Sequence, residues 1–154
     1  MNKENKEAST FLLQMVTPEQ IIYQQWVKKL IVSTLEGEIT VLPSHAPLVA
    51  AIKPGEARII EVQSGGNRER IMAFSEGVIE IRENNVRLLI QKAQRVEELE
   101  RGKIEEAKKI AEQMVEKAKK AGAEKREFAT LEAGLEREIA RLKIYEKYRR
   151  RKNL

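Results

Sequence analysis

His45 is the one imidazole in this 154-residue chain, and it sits in the run LPSHAPL between Pro43 and Pro47. A serine beside it, Ser44, invites the reading of a nucleophile with its base. Adjacent residues seldom reach that geometry, and no third group is evident to orient the ring. The plainer reading is a structural or interface histidine in a proline-bounded loop. Glu36-Gly37-Glu38 places two carboxylates around a tight turn, either as a polar recognition edge or as a solvated hairpin. Gly65-Gly66 lacks the spacing of a phosphate cradle and reads as a hairpin tip. Arg149-Arg150-Arg151-Lys152 closes a cationic segment that suits phosphates or an acidic protein surface. A nucleic-acid-binding β module with a basic helical arm is therefore the alternative to a protein-binding role, although only Tyr145 and Tyr148 interleave the charges there.

The remaining composition narrows the chemistry further. There is no cysteine, and all 24 acidic residues are glutamates. Thiolate chemistry, disulfides and aspartate-based calcium or magnesium loops are excluded. A single histidine excludes a multi-histidine zinc site. No catalytic residue, metal or cofactor is predicted. No run approaches the ~18 apolar residues of a membrane span, and MNKENKEAST lacks the apolar segment of a secretory signal. The expectation is a soluble protein of the cytoplasmic type.

Charge and turn chemistry divide the chain. Residues 1–90 carry 10 basic and 11 acidic side chains, whereas residues 91–154 carry 19 and 13. All four prolines precede residue 55. The first region alternates apolar and polar residues in short runs: Phe11–Val16, Ile21–Tyr23, Trp26–Thr34, Ile39–Leu42, Ala46–Ile52, then ARIIEVQ, ERIMAF, VIEIRE and VRLLIQ. Turn signals separate them, including Lys53-Pro54-Gly55 and the Asn84-Asn85 pair, which suits a hairpin because asparagine tolerates positive φ. Strands at that spacing predict a β-sandwich or barrel.

The second region has helical periodicity. Leu99, Ala107, Ile110, Ala111, Met114, Val115, Ala118 and Ala121 form one stripe, and Gly122 is a stop signal. Phe128, Leu131, Leu135, Ile139, Leu142 and Tyr145 form a second. The fold class is α+β by segments: an N-terminal β-sandwich of about ten short strands, then a C-terminal antiparallel two-helix hairpin. The predicted domains are 11–91 and 92–154, with 1–10 a disordered extension. Alanine dominates the first stripe, so the hairpin buries little apolar area against its ordering cost and is marginal alone.

Taken in order, these runs resemble the epsilon subunit family of the F-type ATP synthase, called delta in mitochondria. The resemblance runs from about Phe11 to Tyr148. VTPEQIIY is similar to the family's opening, and GEITVLPSHAPLVAAIKPGEARI to its GELG-like turn, PGHAPL loop and KPG turn. SEGVIEIRENNVRLLI resembles its closing hairpin, and KIEEAKKIAEQ with AGLEREIARLK its helical pair. Thr40 and Ser44 stand where the family has glycine.

The resemblance implies a non-catalytic rotor subunit on the central stalk. It would bind the gamma subunit and the membrane ring of c subunits, peripheral to the cytoplasmic face of a bacterial cell membrane. The ring contact maps onto Glu36, Glu38, Ser44, His45, Ala46 and Pro47. It also implies helices that fold back or extend along gamma toward the alpha and beta subunits and inhibit hydrolysis, with Arg137, Arg141 and Lys147 facing acidic segments of beta. No nucleic acid partner is implied. Some relatives bind ATP through an I/L-D-x-x-R-A motif in the first helix. Here Glu100, Lys103 and Ile104 replace the aspartate, arginine and alanine, and lysine cannot reproduce a planar bidentate fork. Isothermal titration of the isolated chain with ATP is therefore expected to show no micromolar binding; a micromolar isotherm would overturn that expectation.

Overall fold

The computed structural model describes residues 9–152, which form two compact units divided between Arg95 and Val96. The predicted extension 1–10 falls largely outside the described residues. Thr10 itself is buried, and its carbonyl accepts a hydrogen bond from Asn84 Nδ2 at 3.0 Å.

The first unit contains eight strands among the described residues: β1 (Phe11–Val16), β2 (Ile21–Thr34), β3 (Gly37–Val41), β4 (Leu48–Gln63), β5 (Gly66–Phe74), β6 (Gly77–Arg82), β7 (Asn85–Ile90) and β8 (Ala93–Arg95). Hydrogen bonding runs in the order β3-β2-β1-β7-β6-β4-β5-β8, with β2 also paired to β4. All pairs are antiparallel except β1 with β7.

Two strands serve both layers of the sandwich. The first part of β2 pairs with β1, while Val27–Val32 pair with Ala57–Glu61 of β4 and Leu30–Thr34 with β3. Likewise Leu48–Ile52 of β4 pair with β6, and Gly55–Gln63 with β5. Counting each half separately gives the expected ten segments.

Two predicted interruptions are thereby corrected. Ile21–Tyr23 and Trp26–Thr34 are one strand, and Lys53-Pro54-Gly55 is not a chain reversal but part of continuous β4. Proline and glycine act here where the strand leaves one partner for another, a site that tolerates a missing N–H. A third correction concerns the β6–β7 turn. Arg82 pairs with Asn85, so the two loop residues are Glu83 and Asn84, with φ of 49° and 62°. This is the doubly positive pattern of a type I′ hairpin, shifted one residue from the Asn84-Asn85 expectation.

Alternation fills the space between the layers. Leu13, Met15, Val27, Leu30, Val32, Val41, Ile52, Ile59, Ile79 and Leu88 are fully or nearly fully buried, joined by Phe11 and Phe74. With Thr10, Thr34 and Glu56, Glu61 is one of four buried polar residues among those described. Its carboxylate accepts hydrogen bonds from the Tyr23 hydroxyl at 2.7 Å and from Arg70 Nε at 2.6 Å, and the Arg70 guanidinium lies over the Tyr23 ring.

In the second unit a short 3₁₀ turn (Val96–Glu98) precedes α1 (Arg101–Lys120) and α2 (Lys125–Arg151). The stop after α1 is a Schellman motif. Gly122 has φ 64°, its N–H donates to Lys119 O, and Ala123 N–H donates to Ala118 O. Among the described residues of α1 and α2, Ile104 and Ile144 are the buried ones. Ile110 and Met114, expected on the packed stripe, are half exposed. The packed face instead follows Ile104, Ala107, Ala111, Val115 and Ala118, at steps of three and four.

Burial pushes the Glu61 carboxyl up, but the hydrogen bonds from Arg70 and Tyr23 and the arginine charges outweigh it and hold the group below 4.5, its ordinary value. Burial and the bond to Glu61 push the Tyr23 phenol above its usual range. A depressed carboxyl stabilises the fold above its unfolded pKa and ceases to do so as pH falls through its folded value. Unfolding free energy by urea denaturation should therefore fall below about pH 4.5, and Glu61→Gln should flatten that dependence. Arg70→Ala, which strands the carboxylate, should cost on the order of 3 kcal/mol at pH 7.

Candidate functional site

The residues singled out in the first unit lie along β3 and at its two ends. Among the described residues β3 pairs only with β2, so it forms an edge of the sheet. Its leading turn is a two-residue loop, Leu35-Glu36, closed by Thr34 pairing with Gly37. Thr34 Oγ1 donates to Gly37 O at 2.7 Å and accepts from Glu36 N–H at 3.2 Å. Gly37 has φ 129°, a value that suits glycine. Glu36 is exposed at the tip.

Glu38 is not a free carboxylate. Both its oxygens lie 3.1 Å from Arg58 Nη2, reached from β4 across β2. Arg58 Nε in turn lies 3.6 Å from buried Glu56. The edge strand is thus fastened by a charge pair on its outer face, and it presents Glu38 already engaged.

The far end of β3 leads into the proline-bounded loop. His45 N–H donates to Leu42 O at 3.2 Å, which closes a four-residue turn. Pro43 occupies its second position and Ser44, with φ 62°, its third. That is the type II pattern, where glycine is the usual third residue. The His45 Nδ1–H donates to the Ala46 carbonyl at 2.7 Å, so in the neutral ring Nε2 is the acceptor. Among the described residues no hydrogen bond joins Ser44 to His45, and the arrangement offers no nucleophile and base.

One residue that the sequence reading passed over organises this loop. Asn84 Oδ1 accepts the Ser44 N–H at 2.8 Å, while Asn84 Nδ2 donates to Thr10 O. Its own carbonyl accepts the Leu12 N–H at 3.0 Å. The only advance signal was the doubled asparagine, which marked a turn but not a clamp.

The predicted surface therefore divides. Ser44, His45, Ala46 and Pro47 share one loop beside the β6–β7 turn. Glu36 lies at the opposite end of β3, where the Leu35 N–H donates to Ala51 O. Glu38 stands between them.

In the second unit Arg141 Nη1 pairs with Glu138 at 3.1 Å, and Arg137 and Lys147 also have interactions. Lys103 Nζ lies 2.8 Å from Glu100 Oε1, so two positions of the ATP-motif stretch engage each other, and Ile104 is buried. Tyr145 and Tyr148 carry Arg149 and Lys152 over their rings. Among the described residues no cluster of histidine and carboxylates could hold a metal ion, and no helix is long and apolar enough to cross a membrane.

Comparison with known proteins gives a consistent result. Residues 10–96 match the family described as ATP synthase, Delta/Epsilon chain, beta-sandwich domain. The ATP synthase epsilon chain of Syntrophomonas wolfei subsp. wolfei is 33% identical over 139 residues, covering 90% of this chain and 96% of the relative. That of Psychrobacter arcticus is 33% identical over 143 residues, covering 93% and 99%. A chain in the cryo-EM structure of the Euglena gracilis mitochondrial ATP synthase (OSCP/F1/c-ring, rotational state 1) superposes with a TM-score of 0.66 at 23% identity, covering 86% of this chain and 79% of that one. That last likeness is one of fold.

Ser44 holds a conformation that costs an L-residue about 1–2 kcal/mol, more than the extra unfolded-state entropy of glycine. Ser44→Gly should raise the unfolding free energy by about 0.5–1 kcal/mol, read as a higher urea midpoint at unchanged slope.

Proposed function

The chain belongs to the delta/epsilon chain family of ATP synthase, and on that premise we propose that its strand unit couples gamma to the ring of c subunits while its helical unit restrains ATP hydrolysis. The observation that carries this reading is the extent of the match: 33% identity to ATP synthase epsilon chains over 90% of the chain takes in both units. The chain is a central-stalk subunit of the F-type enzyme. It supplies no catalytic group of its own; its work is mechanical and regulatory.

Torque transfer asks for a body that deforms little. A close-packed two-layer core with strands shared between the layers is stiff in a way a single helix pair is not. The ring contact in this reading follows the β3 edge, from Glu36 past Glu38 to Ser44, His45, Ala46 and Pro47. A five-residue edge strand that bears the Glu38 carboxylate and runs into a proline-bounded loop resists strand-to-strand association, so it can stay exposed until its proper partner arrives.

The helical unit suits a switch for the opposite reason. The packed face of α1 is rich in alanine, and Arg141 of α2 is held by a partly exposed pair with Glu138. Such pairs are worth about 0–1 kcal/mol and can be exchanged for a partner's carboxylates. Arg137, Arg141 and Lys147 would face acidic segments of the beta subunit in the inhibiting state, and a small free-energy difference would decide which state is populated. ATP is not a tight ligand of this unit in this reading, because Lys103 and Ile104 stand where the ATP-binding motif has arginine and alanine. The subunit would sit peripherally on the cytoplasmic face of a bacterial membrane, attached through the complex.

Removing residues 96–154 from the reconstituted complex should raise its ATP hydrolysis rate while leaving gamma binding intact, and His45→Ala should reduce retention of the c ring. Unchanged hydrolysis after truncation would contradict the regulatory half of the reading; unchanged ring retention would contradict the coupling half.

A further inference from the structure

We infer that Asn84 is the positioning residue for the Pro43–Pro47 loop, fixing the left-handed Ser44 turn in the form that meets the ring. The inference rests on the reading of that loop as a ring contact and adds the group that sets its shape. Asn84 is not in the loop and lies 40 residues further along the chain than Ser44.

Three observations converge on it. The first is the use of both ends of one amide. Ser44 N–H can only donate and Thr10 O can only accept, so the Oδ1 and Nδ2 placements are fixed by chemistry: 2.8 Å to Ser44 and 3.0 Å to Thr10. The second is the backbone of Asn84 itself. Its φ of 62° is imposed by the type I′ hairpin, and its carbonyl accepts from Leu12 N–H at 3.0 Å. The side chain therefore hangs from a point held by the β6–β7 hairpin and by β1.

The third is the state of the loop. Ser44 has φ 62° without being glycine, and the turn's own closure is a single 3.2 Å bond from His45 to Leu42. A serine turn in that conformation is weakly held by its local sequence, and the bond from Asn84 reaches the amide of the strained residue itself. Leu48 pairs with Ile81, so the loop's other end is anchored to the same hairpin. The loop is thus tied to β6–β7 at both ends, once by the sheet and once by Asn84. His45, next after Ser44, takes its direction from this turn.

Two substitutions separate the roles of backbone and side chain. Asn84→Gly accepts φ 62° readily, so the hairpin is kept while both amide bonds vanish. Asn84→Asp keeps an acceptor for the Ser44 N–H and loses the donor to Thr10. The test uses the full chain for amide hydrogen exchange and the reconstituted complex for c-ring retention, with His45→Ala as the reference loop variant. Asn84→Gly is expected to speed Ser44 exchange at least fivefold, leave core amides of β2 and β4 unchanged, and lower ring retention as His45→Ala does. Asn84→Asp is expected to restore Ser44 protection and most of the retention. Ser44 exchange unchanged in Asn84→Gly would overturn the positioning role. Faster exchange with full ring retention, while His45→Ala loses the ring, would overturn it too and leave the ring contact standing. Full retention in both Asn84→Gly and His45→Ala would instead defeat the ring-contact reading and the inference with it.

Discussion

The strand unit depends on two chains of backbone hydrogen bonds that pass from one layer of the sandwich to the other. β2 and β4 each begin in one layer and end in the second, and they pair with each other along Val27–Val32 and Ala57–Glu61. Neither layer can slide on its neighbour without bending the two continuous strands that belong to both. The corner of β4 shows what the crossing demands of side chains. Pro54 removes a donor where the strand changes partner, and Ile52 is paired at once with Thr34 and Gly77. Gly77 has no room for a side chain, since a Cβ there would meet the Leu89 carbonyl and Ile90. Glycine at this point is a matter of close approach rather than of backbone freedom.

The helical unit is built on different terms. The packed face of α1 is mostly alanine, and each methyl contributes little against an ordering cost of ~1–2 kcal/mol per residue. The larger apolar side chains come from α2, with Phe128, Leu131, Leu135, Ile139 and Ile144. Ion pairs such as Arg101 with Glu105 and Lys108 with Glu112 decorate its surface and add tenths of a kcal/mol each. The proposal of mechanical coupling for the strand unit and switching for the helical unit rests on that difference in packing.

Much of this architecture was legible in the sequence because period-two alternation and turn residues report directly on half-buried strands. The misreadings share a cause. By sequence Tyr23 and Trp26 fall in separate strands and Pro54-Gly55 in a reversal, because partner exchange in mid-strand leaves a local signature much like a break. Glu83 at positive φ defied the preference for asparagine because the register of the hairpin, set by Val86, Leu88 and Ile90 facing inward, outweighs the cost at one turn residue. Hydrophobicity alone puts Ile110 and Met114 on the packed stripe, whereas the packed face of α1 follows Ile104 and the alanines at steps of three and four. The loop of Ser44 and His45 was legible as a site candidate, but Asn84 was not. A hydrogen bond between residues 40 positions apart has no local pattern to betray it.

Amide hydrogen exchange across the full chain tests the contrast between the two units most directly. Amides in the shared β2–β4 ladder should exchange only through global unfolding, whereas those of α1 and α2 should exchange at least ~100-fold faster through a separate, lower-energy opening. Equal protection in both units, with one common dependence on denaturant, would mean that the helices are as firmly built as the head, and the division of labour drawn here would not stand.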